Sequence, residues 1–154
     1  MKFSKLGLIG SLCVAGFLGN TSALAADTAS VGVSATVVGT CKFNNGGTAA
    51  FTLDPSVGGT VNATVTQPQF WCTKGATYSI TDNDGLNASG GAQRMKHATL
   101  AEYIPYSFSY TAGGTGTGPS TPITMNITSS VVAGDYINAS AGSYADTVIL
   151  SITP

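Results

Sequence analysis

Few side chains in this 154-residue sequence could carry chemistry. His97 is its one histidine, set between Lys96 and Ala98 in a polar stretch with no serine or cysteine motif beside it. A nucleophile needs a base within hydrogen-bond reach, and the base needs a third group to orient it. No spacing here supplies such a set. The seven Asp and Glu residues are scattered, so a glycosidase pair has no support either. Gly113 to Ser120 reads Gly-x-x-x-x-Gly-Pro-Ser, but Pro119 stands where a phosphate loop carries its lysine. Asp82-Asn83-Asp84-Gly85 opens like a calcium loop, yet Gln93 occupies the position of the bidentate glutamate. The first is read as a plain flexible loop and the second as an Asp-Gly hairpin turn. The chain is therefore expected to be no enzyme, with no catalytic residue, cofactor or metal.

The cysteines lead to the cellular route. Met1-Lys2-Phe3-Ser4-Lys5 is basic, Leu6 to about Gly19 is apolar and uncharged, and Ala23-Leu24-Ala25 has the small residues a signal peptidase requires. Residues 1–25 are thus predicted to be a secretory signal peptide, cleaved after Ala25 or Ala26. The apolar run is shorter than the roughly 20 residues of a membrane span, so the mature protein is expected to be exported and not membrane-embedded. Cys13 leaves with the signal, and Cys41 and Cys72 remain. Two cysteines in an exported domain most simply form one disulfide, whereas a metal pair would lack further ligands. Such a bridge closes a loop of about 30 residues, worth roughly 3 kcal/mol in the loop-entropy model.

In the mature part, Lys42, Lys74, Arg94 and Lys96 face seven acidic residues, a formal charge of −3 from four against seven. No basic patch exists to neutralise phosphates, so nucleic acid is not an expected partner. Charged residues make up 8% of the chain, far below the roughly 25% of an average domain. Thr, Ser, Asn and Gly take their place, which suits a β protein that packs against copies of itself. Asn62, Asn87, Asn126 and Asn138 begin Asn-x-Ser/Thr triplets, which the abundance of Asn and Thr accounts for.

The elements that must position these residues are short strands. Period-two alternation of β-branched and aromatic residues predicts strands over Ala29–Val38, Thr48–Leu53, Thr60–Thr66, Gln69–Cys72, Thr77–Thr81, Tyr103–Thr111, Ile123–Val132 and Ser143–Thr153. Asn- and Gly-rich turns separate them. Beyond the signal no helical periodicity is sustained. Many short strands with regular turns predict an all-β sandwich in one domain. Pro105 marks an edge or a bulge. Tyr106, Phe108 and Tyr110, Phe70 with Cys72, and Val148, Leu150 and Ile152 are the expected core-facing sets. The first strand would be the free N-terminus of the mature chain. Its apolar face belongs either to its own sheet or to another molecule's open sheet edge.

Several stretches together resemble the spore coat protein U domain family, whose members include pilin subunits of the archaic chaperone–usher pathway. Val31-Gly-Val33-Ser-Ala35-Thr-Val37 precedes Cys41 by a short gap, and Phe70-Trp71-Cys72-Thr73-Lys74-Gly75 is similar to the family's second-cysteine motif. Arg94-Met95 with Ile104-Pro105-Tyr106-Ser107-Phe108 looks like its centre, and Gly142-Ser-Tyr144-Ala-Asp146-Thr147 like the opening of its last strand. The chain departs from the family in ending on Ser151-Ile152-Thr153-Pro154 without an aromatic residue. It also has Ala50-Phe51-Thr52-Leu53 in place of Leu-x-Phe-Gly.

The resemblance implies an incomplete immunoglobulin-like β-sandwich, residues 39–154, completed by a donor strand from another subunit. Residues 26–38 would be the donor extension, with Val31, Val33, Ala35 and Val37 as its plugs. Val148, Leu150 and Ile152 would form one wall of the acceptor groove. The implied function is a structural pilus subunit, exported through the periplasm to a cell-surface fimbrium and serving adhesion or biofilm formation. Its implied partners are a periplasmic chaperone, an outer-membrane usher, and copies of itself or related subunits. Two other readings are a secreted monomeric carbohydrate-binding sandwich using Trp71 or exposed tyrosines, and a spore coat or matrix protein.

Overall fold

A computed structural model describes residues 26–154; the predicted signal peptide and Cys13 lie outside the described residues. The chain divides into two units, Met1–Ala35 and Thr36–Pro154. In the first, residues 26–35 are exposed and have no regular secondary structure, and residues 36–38 of the second are the same. The strand predicted over Ala29–Val38 is therefore not formed. The physical reason is the missing ladder: a strand is stable only with a neighbour that takes its N–H and C=O groups.

The second unit is all-β apart from one helical turn. It opens with β1 (Cys41–Phe43), β2 (Thr48–Ala50), β3 (Val61–Asn62), β4 (Thr64–Thr66) and β5 (Gln69–Cys72). Next come β6 (Thr77–Asp82), β7 (Arg94–His97), β8 (Tyr103–Pro105), β9 (Ser107–Ser109) and β10 (Gly113–Thr115). β11 (Ile123–Thr124), β12 (Thr128–Val131), α1 (Ala133–Tyr136), β13 (Tyr144–Ala145) and β14 (Leu150–Thr153) complete it.

All the strand pairs are antiparallel, and they build two layers. In one, the β1–β2 run lies against β3–β5, then β11–β12, then β9. In the other, β14 and β10 flank β6, while β13 and β8 flank β7. The Tyr103–Ser109 run crosses between layers: β8 pairs with β7 but β9 with β12. Pro105 ends β8 on the edge of its sheet, as a residue without an N–H must. The Ser143–Thr153 run likewise changes partner, from β7 at β13 to β6 at β14.

The core between the layers follows the alternation. Phe70, Cys72, Met125 and Ile127 from one layer meet Ile80 from the other, with Phe108, Tyr110, Leu150 and Ile152 packed against them. A second cluster of Ile104, Val131 and Tyr136 gathers Phe51, Leu53, Met95, Tyr106 and Tyr144. Phe70 stands edge-on to Tyr78 at 4.9 Å between ring centroids, a geometry that adds to simple burial. Burying one such large side chain contributes about 1.5–3 kcal/mol.

Two local expectations are corrected. Asp82-Asn83-Asp84-Gly85 is a turn, with Asp84 at φ 59° and Asp82 Oδ1 accepting the Asp84 N–H at 2.7 Å. It is not a hairpin turn, because β6 pairs with β10 and β14 and not with the strand that follows it. Gly113-Gly114-Thr115, expected in a flexible loop, forms β10 against β6. Glycine is what permits the close passage just beyond it: a Cβ on Gly116 would run into the Cys72 and Thr73 carbonyl oxygens.

Candidate functional site: an open groove along the edge of β14

β14 pairs through one edge only, with β6. β1 comes near its other edge without hydrogen-bonding to it. Between the two runs the sandwich is open. A cavity of about 400 Å³ is walled by Gly47–Ala49 and Phe51 on one side and by Tyr144–Val148 and Leu150 on the other. Val65, Pro68, Met95, Tyr106, Phe108, Ile127 and Ser129 form its floor. A second cavity of about 350 Å³ shares Gly47, Pro68, Val148 and Leu150 with the first and extends it to Phe43 and Asn44. The two make one trough running alongside residues 43–51.

Local sequence explains both walls. Val148 and Leu150 are half-buried while Ile149 between them is 52% exposed, the alternation of an extended chain with one inward face. On the other side β2 pairs with β4, leaving its second edge unpaired. Ile152, expected in the same wall, is half-buried opposite Ile80, packs on the Phe70 core and does not line the trough. The Tyr106, Phe51, Gly47 and Asp146 contributions escaped the sequence reading.

One end of the trough is polar and held tightly. Asp146 Oδ2 accepts the Tyr106 hydroxyl at 2.7 Å, and Oδ1 accepts the Asn87 backbone and side-chain N–H groups at 3.0 Å each. Burial, then the bond to Asp146, pushes the Tyr106 phenol well above its ordinary range. Four residues on, Tyr110 donates to Asp82 Oδ2 at 2.7 Å. Burial and that bond push its pKa up to about 12. Both tyrosines tie the Tyr103–Thr111 run to the opposite layer, on either side of Phe108.

The other sequence candidates fall as follows. Cys41 and Cys72 are joined as a disulfide at the β1–β5 pairing, with Cys72 fully buried. Val31 and Val33 are 84% and 91% exposed, Val37 is 82% exposed, and Ala35 is exposed. Trp71 is half-buried in the centre of β5, opposite Lys42. His97 is buried in β7, where its Nδ1 accepts the Thr99 and Leu100 N–H groups, both at 3.1 Å. That leaves the proton on Nε2, which faces the Ala141 carbonyl at 3.4 Å. The ring is a bracket between two loops. Among the described residues no cluster of His, Cys, Asp or Glu could hold a metal, and no helix is long and apolar enough to cross a membrane.

The geometry defines the class first: an all-β sandwich with an open trough between two of its edges. The model of the Spore Coat Protein U domain matches residues 27–151, and the chain belongs to that family. No curated protein sequence matches it. Among solved structures, the chain is similar to one in the CsuC-CsuE chaperone-tip adhesion subunit pre-assembly complex from archaic chaperone-usher Csu pili of Acinetobacter baumannii. The identity is 20% and the TM-score 0.45, over 76% of this chain and 40% of that one. The chain thus spans well under half the length of that neighbour.

Proposed function

We propose that this chain is a structural pilus subunit, exported to the periplasm and assembled into surface fibres by donor-strand exchange, in support of adhesion or biofilm formation. Val31, Val33, Ala35 and Val37 of one copy enter the trough of the next, against Val148 and Leu150. Its partners are copies of itself or related subunits, a periplasmic chaperone that covers the trough in transit, and an outer-membrane usher.

The observation that carries this reading is the trough, a gap over a largely apolar floor bordered by the unpaired edge of β14. A strand laid there would gain a ladder on that edge and bury its alternate side chains in the core. The exposed valines before Thr40 have the alternation that such a site takes. Family membership agrees with it, since the family includes pilin subunits. Deleting residues 27–38 is the test. The trimmed chain should still form a complex with the chaperone and should fail to extend a fibre. Undiminished fibres would overturn the proposal.

A further inference from the structure

The two ends of the domain differ in what they expose. At one end the chain enters β1: the Thr73 N–H donates to Thr40 O and the Gly75 N–H to Gly116 O, both at 2.9 Å. A Cβ on Gly39 would sit 3.4 Å from the Pro154 side chain. Residues 39–40, 73–76, 116–118 and 154 thus share one surface. Lys42 and Lys74 are exposed there, and residues 36–43, 73–76 and 116–122 include no Asp or Glu. Val38 and Pro119 are exposed at the same end. Val38 is out of step with the proposed plugs at 31, 33, 35 and 37, so a buried plug face leaves it free.

The Ser143–Pro154 run leads from this surface to the other end, where the Ala98 N–H donates to Ser143 O at 2.9 Å. The Tyr136 hydroxyl donates to Gly59 O at 3.0 Å, and Glu102 Oε1 accepts the Ser140 N–H at 2.9 Å. Residues 54–60, 98–102 and 132–143 are thereby joined. Outside the N-terminal segment, six large apolar side chains are exposed among the described residues, and four of them are here: Val57, Leu100, Val132 and Ile137. Apolar exposure gathered on one end of a small domain marks a contact face. The charged side chains of these loops are Asp54, Glu102 and Asp135, with no Lys or Arg; Lys96, on β7, is the nearest basic residue in sequence. Bonds from Ser56 and from Ser140 hold the Asp54 and Glu102 carboxyls below their ordinary range, so both stay charged at neutral pH.

The trough decides which ends meet. Toward the lysine end β1 lies against β14 and shuts it, and Cys41, Ile152 and Pro154 are not among its walls. Toward the acidic end it reaches Phe51 and Tyr144. Every strand pair in the domain is antiparallel, and a segment laid antiparallel to residues 144–150 runs with its last plug, Val37, toward Tyr144. Val38–Thr40 then add about 10 Å before β1 of the incoming copy begins, which sets its lysine end against the acidic loops. A parallel segment would instead bring the lysines of two copies together. We propose that the end bearing Val57, Leu100, Val132 and Ile137 docks the lysine end of the next copy of this chain, with Asp54, Glu102 and Asp135 facing Lys42 and Lys74. The proposal rests on the donor-strand reading above and adds a second contact, outside the trough, that fixes the register of successive subunits.

The test is a charge swap. Fibres of the full mature chain, disulfide formed, are held at low salt in urea too dilute to unfold the subunits, and light scattering follows the loss of subunits. Lys42→Glu with Lys74→Glu should speed that loss about tenfold, and so should Asp54→Lys with Asp135→Lys. All four changes in one chain put opposite charges back in apposition and should return the rate to within about threefold of native. In about 1 M NaCl the half-swapped and native rates should converge, because charges are then screened beyond about 3 Å. Val57→Ser should speed the loss at either salt. A half-swapped chain that forms no fibres supports the contact equally, provided the fourfold swap restores them. In parallel, each chain carrying Val33→Asp, which keeps it from donating, is given a fluorescent peptide of residues 27–38; all should capture it alike. Equal rates for native and half-swapped fibres at low salt would overturn the end contact, as would a fourfold swap no slower than its halves. If no chain captures the peptide, the donor-strand reading falls and this inference with it. If all capture it while the fibre rates coincide, the end contact alone is ruled out.

Discussion

Replacing Val33 by aspartate in the proposed donor is the sharpest test of which face enters the trough. Val31, Val33 and Val37 are 84%, 91% and 82% exposed, so nearly all of their apolar surface is available to be buried. Full burial of one valine is worth about 1.5–3 kcal/mol, and Val33→Asp forfeits that share. The carboxylate adds its own penalty, because nothing cationic lines the trough to pair with it. Asp146, at one end, would repel it. The penalty is capped by protonation. Raising the carboxyl pKa by about three units, enough to neutralise much of it near pH 7, costs about 4 kcal/mol. The two losses sum to about 5–7 kcal/mol, and at about 1.4 kcal/mol per tenfold they weaken binding by more than a thousandfold.

The assay uses a chain beginning at Gly39 and synthetic peptides of residues 27–38. At a concentration of 100 times its Kd, the native peptide should stabilise the acceptor by about 2.7 kcal/mol and raise its melting temperature by about 10 °C. The Val33→Asp peptide should produce no shift at that concentration. A Ser34→Asp peptide puts the same charge on the alternate face and should stay within about tenfold of native binding, because an exposed charge meets little penalty. Equal losses at positions 33 and 34 would refute the reasoning, since no alternating face would then be buried.

Two further outcomes follow from the polar bonds around the trough. Gly85 has φ 91°, and a Cβ there would collide with the Asp146 carboxylate; Gly85→Ala should cost about 2 kcal/mol or more in urea unfolding and weaken binding of the native peptide. Tyr110, at about 12, holds its proton more tightly folded than unfolded, so its contribution is complete below about pH 10 and is lost as pH rises toward about 12. Tyr110→Phe should flatten that part of the stability profile relative to the native chain, and an unchanged slope would show the Asp82 bond to be absent in solution.

Much of this architecture is legible from alternation alone. Gln69–Cys72 forms the predicted strand at its predicted bounds, because a central strand packed by Phe70 and Cys72 has both edges paired. Longer predicted runs come out broken where they change partners, as at Tyr106 between β8 and β9, and alternation carries no record of partner. β7 was hidden because Arg94-Met95-Lys96-His97 is polar in composition, although Arg94 lies over the Tyr103 ring at 4.3 Å and His97 is buried. α1 is a single turn, too short for helical periodicity. Val148 and Leu150 could be read from their spacing as inward-facing, while a groove beside them was implied only by the family resemblance. The facing wall at Gly47–Phe51 could not, because it comes from the other end of the chain and is nearly featureless in composition.

What keeps such a gap from collapsing is a matter of where the polar bonds sit. A sandwich with an open side would be expected to close over it, since apolar floor residues such as Phe108 and Ile127 gain by leaving water. Here the Cys41–Cys72 bridge fixes β1 to β5, so the Phe43 end of the trough cannot slide inward alone. Tyr106–Asp146 and Tyr110–Asp82 fix the separation of the layers on either side of Phe108. Closing the trough would break both bonds and leave half-buried carboxylates and phenols without partners, at about 1–3 kcal/mol each. If the trough is an acceptor as proposed, it is therefore organised before its strand arrives. Binding then has to offset the ordering of the incoming segment, at about 1–2 kcal/mol per residue, with no comparable ordering of the acceptor. On the donor-strand proposal, the same bonds that hold the trough open make it a ready receptor for an incoming segment.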